Sequence, residues 1–387
     1  MLSAAIPRRA VARAGLRRAW LWLHRWLGLL FGVILVIVGL TGSVIVFYRE
    51  IDATLNRALY APDSSERRIT FAQALEAAAA GDSAPIRSVI APDPVWPVWV
   101  VMHLHPTEKG HYPNIWTTMV DPSNGRVLGR RDYTHAFAFT VYRLHFTLLL
   151  YDWHGKELVG VIAFILLCSS LSGLYLWWPK WRRFWRSVSL RRGVSPLRLM
   201  IDLHNLAGFW TAPLLILVAV TGIGIVFPGV VRPIVGLLSP ATPYPSPTVK
   251  APPAATPTLT ADEIVAFVRA AKPRYDIAQL NPPIGSRNTW RALLRPPQAN
   301  PALRTRGAIW LDPWTGAVVH DRTGDAISIG DRYQTEQLWL HNGATLGLVG
   351  RILVFISGFV PLVLLVTGLL IWRGKRQTRR TNVIPRR

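Results

Sequence analysis

The sequence predicts an α-helical membrane protein: a four-transmembrane-helix bundle made by tandem duplication, carrying two α+β modules on one side of the bilayer. Three observations predict it. Four apolar segments reach spanning length, basic residues gather in three segments that such a topology places together, and a residue pattern recurs 180 positions along the chain.

Half of the 387 residues are apolar, and they are clumped. Segments 26–47, 158–178, 206–227 and 350–372 are dense in Leu, Ile and Val and hold no acid. Each reaches the ~20 residues that the hydrocarbon core requires. With their approaches, they divide the chain into a basic N-terminus (1–19), a first span (20–48), a module (49–134), an interfacial helix (135–157) and a second span (158–178). A basic loop (179–200), a third span (201–228), a second module (229–336), an interfacial segment with the fourth span (337–372) and a basic tail (373–387) follow.

The formal charge is +23. Residues 1–19 hold five Arg, residues 180–198 seven basic side chains and residues 373–387 seven more, with no acid in any of them. Four spans bring these segments to one side, which the positive-inside rule makes the cytoplasm. The charge then reports topology, and no nucleic-acid partner is expected. Trp177, Trp178, Trp181 and Trp185 mark the membrane interface beside the basic loop. The apolar run after Arg18 is too long for a signal peptide and lacks a small-residue cleavage site before residue 47, so it reads as a retained span.

Both modules face the opposite side. Residues 70–80 and 260–271 read as helices, the second opened by a Thr260–Glu263 capping box. Residues 95–102, 115–120 and 291–294 alternate like strands. Turns are expected at 121–125 and 312–316, each Asp-Pro opening and Gly closing, and an extended Pro-rich linker at 239–257.

The recurring pattern carries the functional reading. Leu23, His24, Gly28, Thr41, Gly42 and Phe47 return as Leu203, His204, Gly208, Thr221, Gly222 and Phe227. Leu144, His145, Gly155, Gly173, Leu174 and Trp177 return as Leu340, His341, Gly350, Gly368, Leu369 and Trp372. The topology puts His24 and His204 near the cytoplasmic face, and His145 and His341 at or above the outer face. A lone interfacial histidine can be hydrated or can cap a helix. Four of them, in two repeat-related pairs, read as ligands.

Two imidazoles at one depth on different helices are what axial ligation of haem iron needs. No Cys-x-x-Cys-His is present, and the single cysteine, Cys168, reads as packing. Covalent c-type haem and cysteine-held iron–sulfur clusters are thereby excluded. The expectation is two non-covalent b-type haems, the inner one on His24 and His204 and the outer one on His145 and His341. His154 competes as an outer ligand. Gly28 and Gly208, one turn on, would leave room for the macrocycle. Arg18, Arg25 and Lys180 are candidate propionate partners on the inner side, and Arg143 and Arg351 on the outer.

His103 and His105 share one strand face at a spacing that can bind metal. With only Glu108 nearby, they and His111 are expected at the surface. No P-loop, Rossmann fingerprint or nucleophile elbow occurs, and the cytoplasmic segments are too short for a flavin or nicotinamide domain. Electrons would have to come from another molecule.

These motifs resemble the PepSY-associated transmembrane family over nearly the whole chain. The resemblance lies in the Leu-His…Gly…Thr-Gly first and third spans, the Leu-His…Gly-Leu-x-x-Trp ends, and outer modules similar to PepSY domains. The architecture is most similar to bacterial inner-membrane ferric-siderophore reductases of the ferrioxamine type. That implies a multi-pass inner-membrane oxidoreductase with both termini cytoplasmic and its modules periplasmic. Electrons from a quinol or a cytoplasmic reductase would cross through two b-type haems and reduce ferric-siderophore iron to Fe(II), aiding iron release and uptake. No catalytic residue beyond the haem ligands is expected. Two other readings stand beside it: a non-enzymatic PepSY-type protein that binds or regulates a periplasmic partner, and a transporter component. Against transport stand the small number of spans and the lack of an acid in their cores.

Overall fold

The computed structural model describes residues 8–107, 112–252, 256–296, 307–324 and 327–381. The first half runs α1 (Arg8–Val46), α2 (Tyr48–Leu55), α3 (Phe71–Ala79), β1 (Ile86–Ile90), β2 (Trp99–His105), β3 (Asn114–Val120), β4 (Val127–Asp132), α4 (Phe137–Thr147) and α5 (Gly155–Trp177). After a short α6 (Phe184–Ser187), the same order returns as α7 (Pro196–Val226), α8 (Pro228–Gly236), α9 (Ala261–Ala271), β5 (Asp276–Asn281), β6 (Trp290–Arg295), β7 (Gly307–Leu311), β8 (Val318–Arg322), α10 (Ile329–His341), α11 (Gly347–Ser357) and α12 (Val360–Thr381).

Among the described residues, four helical stretches are long and apolar enough to cross a membrane: α1, α5, α7 and the α11–α12 pair. They form a ring in which α1 and α7 each pack against both α5 and α12. The fourth span, expected as one helix over 350–372, is broken near Gly358. Pro361 has no N–H to give the Ser357 carbonyl, and the Ser43 hydroxyl donates to the Phe355 carbonyl at 2.6 Å. The break coincides with a backbone contact, since a Cβ on Gly39 would stand 2.5 Å from the Gly358 carbonyl oxygen.

Each module contributes four strands, but the two do not form separate sheets. They join through β1 and β5, pairing Val89 with Leu280 and Ile90 with Gln279. The result is one eight-stranded antiparallel sheet, ordered β4-β3-β2-β1-β5-β6-β7-β8. Pairing covers the strand edges that two separate modules would leave open. Helices α3 and α9 lie on the same face over a shared core that includes Phe71, Trp99, Ile264, Leu280 and Ile309. Thr70 with Gln73 and Thr260 with Glu263 close capping boxes at their N-termini. The turns at 121–125 and 312–316 are present, each with its Asp carboxylate accepting backbone N–H groups and its glycine at positive φ. Strand β2 begins at Trp99 rather than 95, because Val95 and Trp96 give their N–H groups to the Asp93 carboxylate.

Buried ion pairs tie the bundle to the sheet. Asp52, on the α2 extension of the first span, accepts from the Tyr60 hydroxyl and from Arg131 of β4, both at 2.5 Å. In the second half, Asp331 of α10 accepts from Arg322 of β8 at 3.1 Å. Asp52→Ala strands the half-buried Arg131 without its carboxylate. A loss of about 3–5 kcal/mol is expected, the cost of breaking a buried pair on one side, measurable as a lowered unfolding midpoint in detergent.

The histidines expected at the surface of the first module are placed otherwise. His103 is 0% exposed, held between the Ala84 carbonyl and the Thr118 hydroxyl. His105 bonds Asp82 at 2.9 Å. His111 and Glu108 lie outside the described residues. Burial, which outweighs the Ala84 carbonyl and Asp82, holds His103 below its ordinary pKa of 6.5. The fold therefore keeps it neutral while the unfolded chain protonates. Its contribution to stability is full above pH 6.5 and is lost as pH falls below that value toward the folded-state pKa. The unfolding midpoint is expected to drop between pH 7.5 and pH 5.5, and to drop less in His103→Gln.

Candidate functional site

The helix ring encloses a cavity of about 710 Å³, within the range of small-molecule and cofactor sites. His24 of α1 and His204 of α7 face it from diagonal positions. Gly28, Gly32 and Gly208 also line it, and apart from its chain neighbours and its own helix backbone nothing comes within 4 Å of where a Gly28 Cβ would stand. Leu, Ile and Trp side chains make up most of the rest of the wall. Arg17, Arg25, Lys375 and Arg376 line the basic end. Of the cations expected there, Arg25 is in place. Arg18 and Lys180 are not among the lining residues, and Arg17, Lys375 and Arg376 take their place.

The ring centres of His24 and His204 are 6.2 Å apart. The second pair repeats the value, with His145 of α4 and His341 of α10 also 6.2 Å apart. An imidazole nitrogen binds a first-row metal at about 2 Å and lies about 1.2 Å from its ring centre, so two imidazoles on opposite sides of one ion have centres roughly 6.3 Å apart. Among the described residues, no three His, Cys, Asp or Glu side chains gather around an ion. Two imidazoles alone leave a metal short of ligands. They suit an ion whose remaining donors come with it, as in a macrocycle.

Each of the four imidazoles rests on a hydroxyl–glycine dipeptide of a neighbouring helix. Nδ1 of His24 lies 3.2 Å from the Ser169 carbonyl oxygen and 3.1 Å from Ser172 Oγ, and a Cβ on Gly173 would stand 3.0 Å from its Cε1. His204 Nδ1 lies 2.9 Å from Thr367 Oγ1, with Gly368 beneath. His145 Nδ1 lies 2.9 Å from the Val38 carbonyl oxygen and 3.4 Å from Thr41 Oγ1, with Gly42 beneath. His341 Nδ1 lies 3.0 Å from the Val218 carbonyl oxygen and 3.1 Å from Thr221 Oγ1, with Gly222 beneath.

These partners fix the tautomer. A carbonyl only accepts, so Nδ1 of His24, His145 and His341 carries the proton. The Thr367 hydroxyl gives its own proton to the Val363 carbonyl at 2.7 Å and therefore accepts from His204. In all four rings Nε2 is left with its lone pair, the form a metal ligand needs. Sequence reasoning assigned no role to Ser172, Thr41, Thr221 or Thr367. The signal was there, a hydroxyl residue followed by Gly in every span.

A family model described as the PepSY-associated TM region matches residues 21–375. The chain belongs to this family. No curated protein matches it. In this PepSY-associated TM region the outer pair sits deeper than the sequence suggested. Helices α4 and α10, expected to lie in the interface, dip back against α1 and α7. His145 reaches the level of Val38–Gly42, inside the α1 terminus at Val46. His24 and Gly42, the seat of His145, are separated by about 27 Å of α1 at 1.5 Å per residue. Two sites therefore lie in series along the bundle.

Three outer candidates are placed elsewhere. His154 is 90% exposed at its side chain, beside Glu157 at 3.8 Å, and is not brought to the His145–His341 pair. Arg351 pairs with Glu50 at 2.7 Å and gives a second N–H to the Val46 carbonyl, which leaves it tying the fourth span to α2. Arg143 lies against the rings of Tyr112 and Phe139, and its Nε is buried with no hydrogen-bond partner among the described residues.

Proposed function

We propose that this chain is a haem-dependent oxidoreductase of the bacterial inner membrane, passing electrons from a cytoplasmic-side donor to ferric-siderophore iron in the periplasm. One observation carries the reading: two histidine pairs, each with ring centres 6.2 Å apart and Nδ1 tied to a neighbouring helix, stacked along one bundle. In this reading His24 and His204 would hold an inner b-type haem, and His145 and His341 an outer one. Bound haem supplies a one-electron couple whose potential the axial ligands and their surroundings set.

The protein's own part is positioning. The hydroxyls and carbonyls at Nδ1 orient each ring and raise the basicity of Nε2. The glycines let each imidazole lie against helix backbone. Arg25, with Arg17, Lys375 and Arg376, offers counter-charge for propionates at the basic end. The apolar cavity wall keeps water from the ligand nitrogens. The basic end is cytoplasmic in this reading and the sheet periplasmic, which follows from the three basic segments. The repeated element order and the 180-residue spacing support descent by tandem duplication. Reduction of a ferric chelate to Fe(II) weakens its hold, because hard oxygen donors favour the higher charge. The donor is a quinol or a cytoplasmic reductase.

The test is an absorption spectrum of the purified protein made with ample haem. A reducible Soret and α-band pattern at about two haems per chain is expected. A colourless preparation overturns the proposal in favour of a non-enzymatic membrane protein.

A further inference from the structure

The sheet presents a second feature to the bundle. In β6, Trp290, Ala292 and Leu294 point into the core under α3 and α9, so Arg291 points the other way, toward the spans. In β1, Val89 belongs to the same core, and simple alternation would send Arg87 there as well. A β-bulge between Ile86 and Ser88 interrupts the register. Bulges re-aim side chains in this manner, and Arg87 lies within electrostatic reach of Tyr112 and Tyr142. Arg287, on the hairpin between β5 and β6, joins them.

Among the described residues, no acid pairs with this group. Among the described residues, the side chains of Arg87, Arg287 and Arg291 make no hydrogen bond or ion pair, although Arg87 and Arg291 are half-buried. The guanidinium groups of Arg87 and Arg291 are held below the ordinary arginine pKa, first by burial; Arg287 and Arg291 add to this at Arg87, and Arg287 adds to it at Arg291, where Tyr244 opposes. Arg143, whose Nε is buried with no hydrogen-bond partner among the described residues, meets the same Tyr112. Cations packed against each other without a counter-ion are costly unless an anion completes the set.

The location gives the cluster a use. Tyr142 lies on α4 one turn before His145, so an anion held by the arginines sits beside the helix that carries an outer histidine. Planar guanidinium forks match carboxylates bidentately.

We infer that Arg87, Arg287 and Arg291, with Arg143, Tyr112 and Tyr142, form the binding site for an anionic, carboxylate-bearing ferric chelate between the sheet and the outer end of the bundle. This rests on the proposed reductase function and gives it a substrate class. The same carboxylate chemistry could come from the propionates of an outer haem or, as phosphate, from lipid headgroups, and the experiment separates these sources.

The probe is gallium(III) citrate, a redox-inert anionic chelate, titrated against the full chain in phosphatidylcholine nanodiscs, with an uncharged gallium hydroxamate as comparison. Saturable binding of the citrate complex that weakens with salt is expected. Arg87→Gln and Arg291→Gln should each weaken it about tenfold or more, as loss of a charge-assisted pair does, while Arg291→Lys recovers part of the loss. Haem content should be unchanged in these variants. Equal binding of both chelates, or no effect of the variants, overturns the inference. Loss of the outer haem in Arg87→Gln or Arg291→Gln also overturns it and reassigns the arginines to propionates. An arginine-dependent competition from phosphatidylglycerol with no chelate binding reassigns them to lipid. Because gallium is not reduced, binding is read whether or not the reductase proposal holds, and the haem spectrum judges that proposal separately.

Discussion

His24→Ala and His204→Ala are each expected to remove the same haem, and His145→Ala and His341→Ala each the other. Two rings with centres 6.2 Å apart act as a unit if they hold one ion between them, and either loss alone then undoes the site. Each single variant should lose about half of the Soret absorbance, and the His24→Ala/His204→Ala double variant no more than either single. The cross-pair double His24→Ala/His145→Ala should lose nearly all of it. Such non-additivity within a pair and additivity between pairs is what coupling through a shared site requires. Because the sites lie in series, any of the four should also reduce transmembrane reduction of an external ferric chelate to background. Four independent losses of a quarter each would show that the histidines do not pair as the geometry places them.

How much of this was legible in the sequence depends on the range of the signal. The spans, the capped helices α3 and α9 and the turns closed by Gly125 and Gly316 rest on local or periodic features, and each could be read directly. The histidine pairs were legible because the pattern repeats and because alternation of spans sorts residues by depth. What escaped was contact between elements. Val89 and Leu280 pair across the two modules, and no local pattern announces that two four-stranded units share one sheet. Helices α4 and α10 looked interfacial because they are short and mixed in character. Their histidines are drawn inward by backbone carbonyls at Val38 and Val218, which periodicity cannot reveal. His103 was misplaced for the same reason, since its burial depends on Ala84 and Thr118 from other segments. Arg351 stood beside the right helix but is claimed by Glu50.

The glycine seats yield the second large effect, a graded one. A Cβ would stand 2.9 Å from the His145 ring at Gly42, 3.0 Å from the His24 ring at Gly173, 3.2 Å from the His341 ring at Gly222 and 3.6 Å from the His204 ring at Gly368. In a helix, Gly→Ala normally stabilises by about 0.5–1 kcal/mol. The first two substitutions must instead push an imidazole off its hydroxyl partner, which tilts Nε2 and should weaken haem binding about tenfold to a hundredfold, the range found when groups that orient a ligand are lost. Gly42→Ala should deplete only the outer haem and Gly173→Ala only the inner one. Gly222→Ala should be milder, and Gly368→Ala, at ordinary contact distance, close to neutral for haem and mildly stabilising. Gly28→Leu separates the seats from the cavity itself. Apart from its chain neighbours and its own helix backbone, nothing lies within 4 Å of the Gly28 Cβ position, so a larger side chain there extends into the open cavity. The helix should keep or gain stability while the inner haem is excluded. Measured together, the thermal midpoint holds or rises while haem content falls at Gly28, and both fall at Gly42 and Gly173, if the imidazoles and the cavity serve a cofactor. If they serve only packing, the clashing variants should lose stability, and Gly28→Leu should leave haem content untouched.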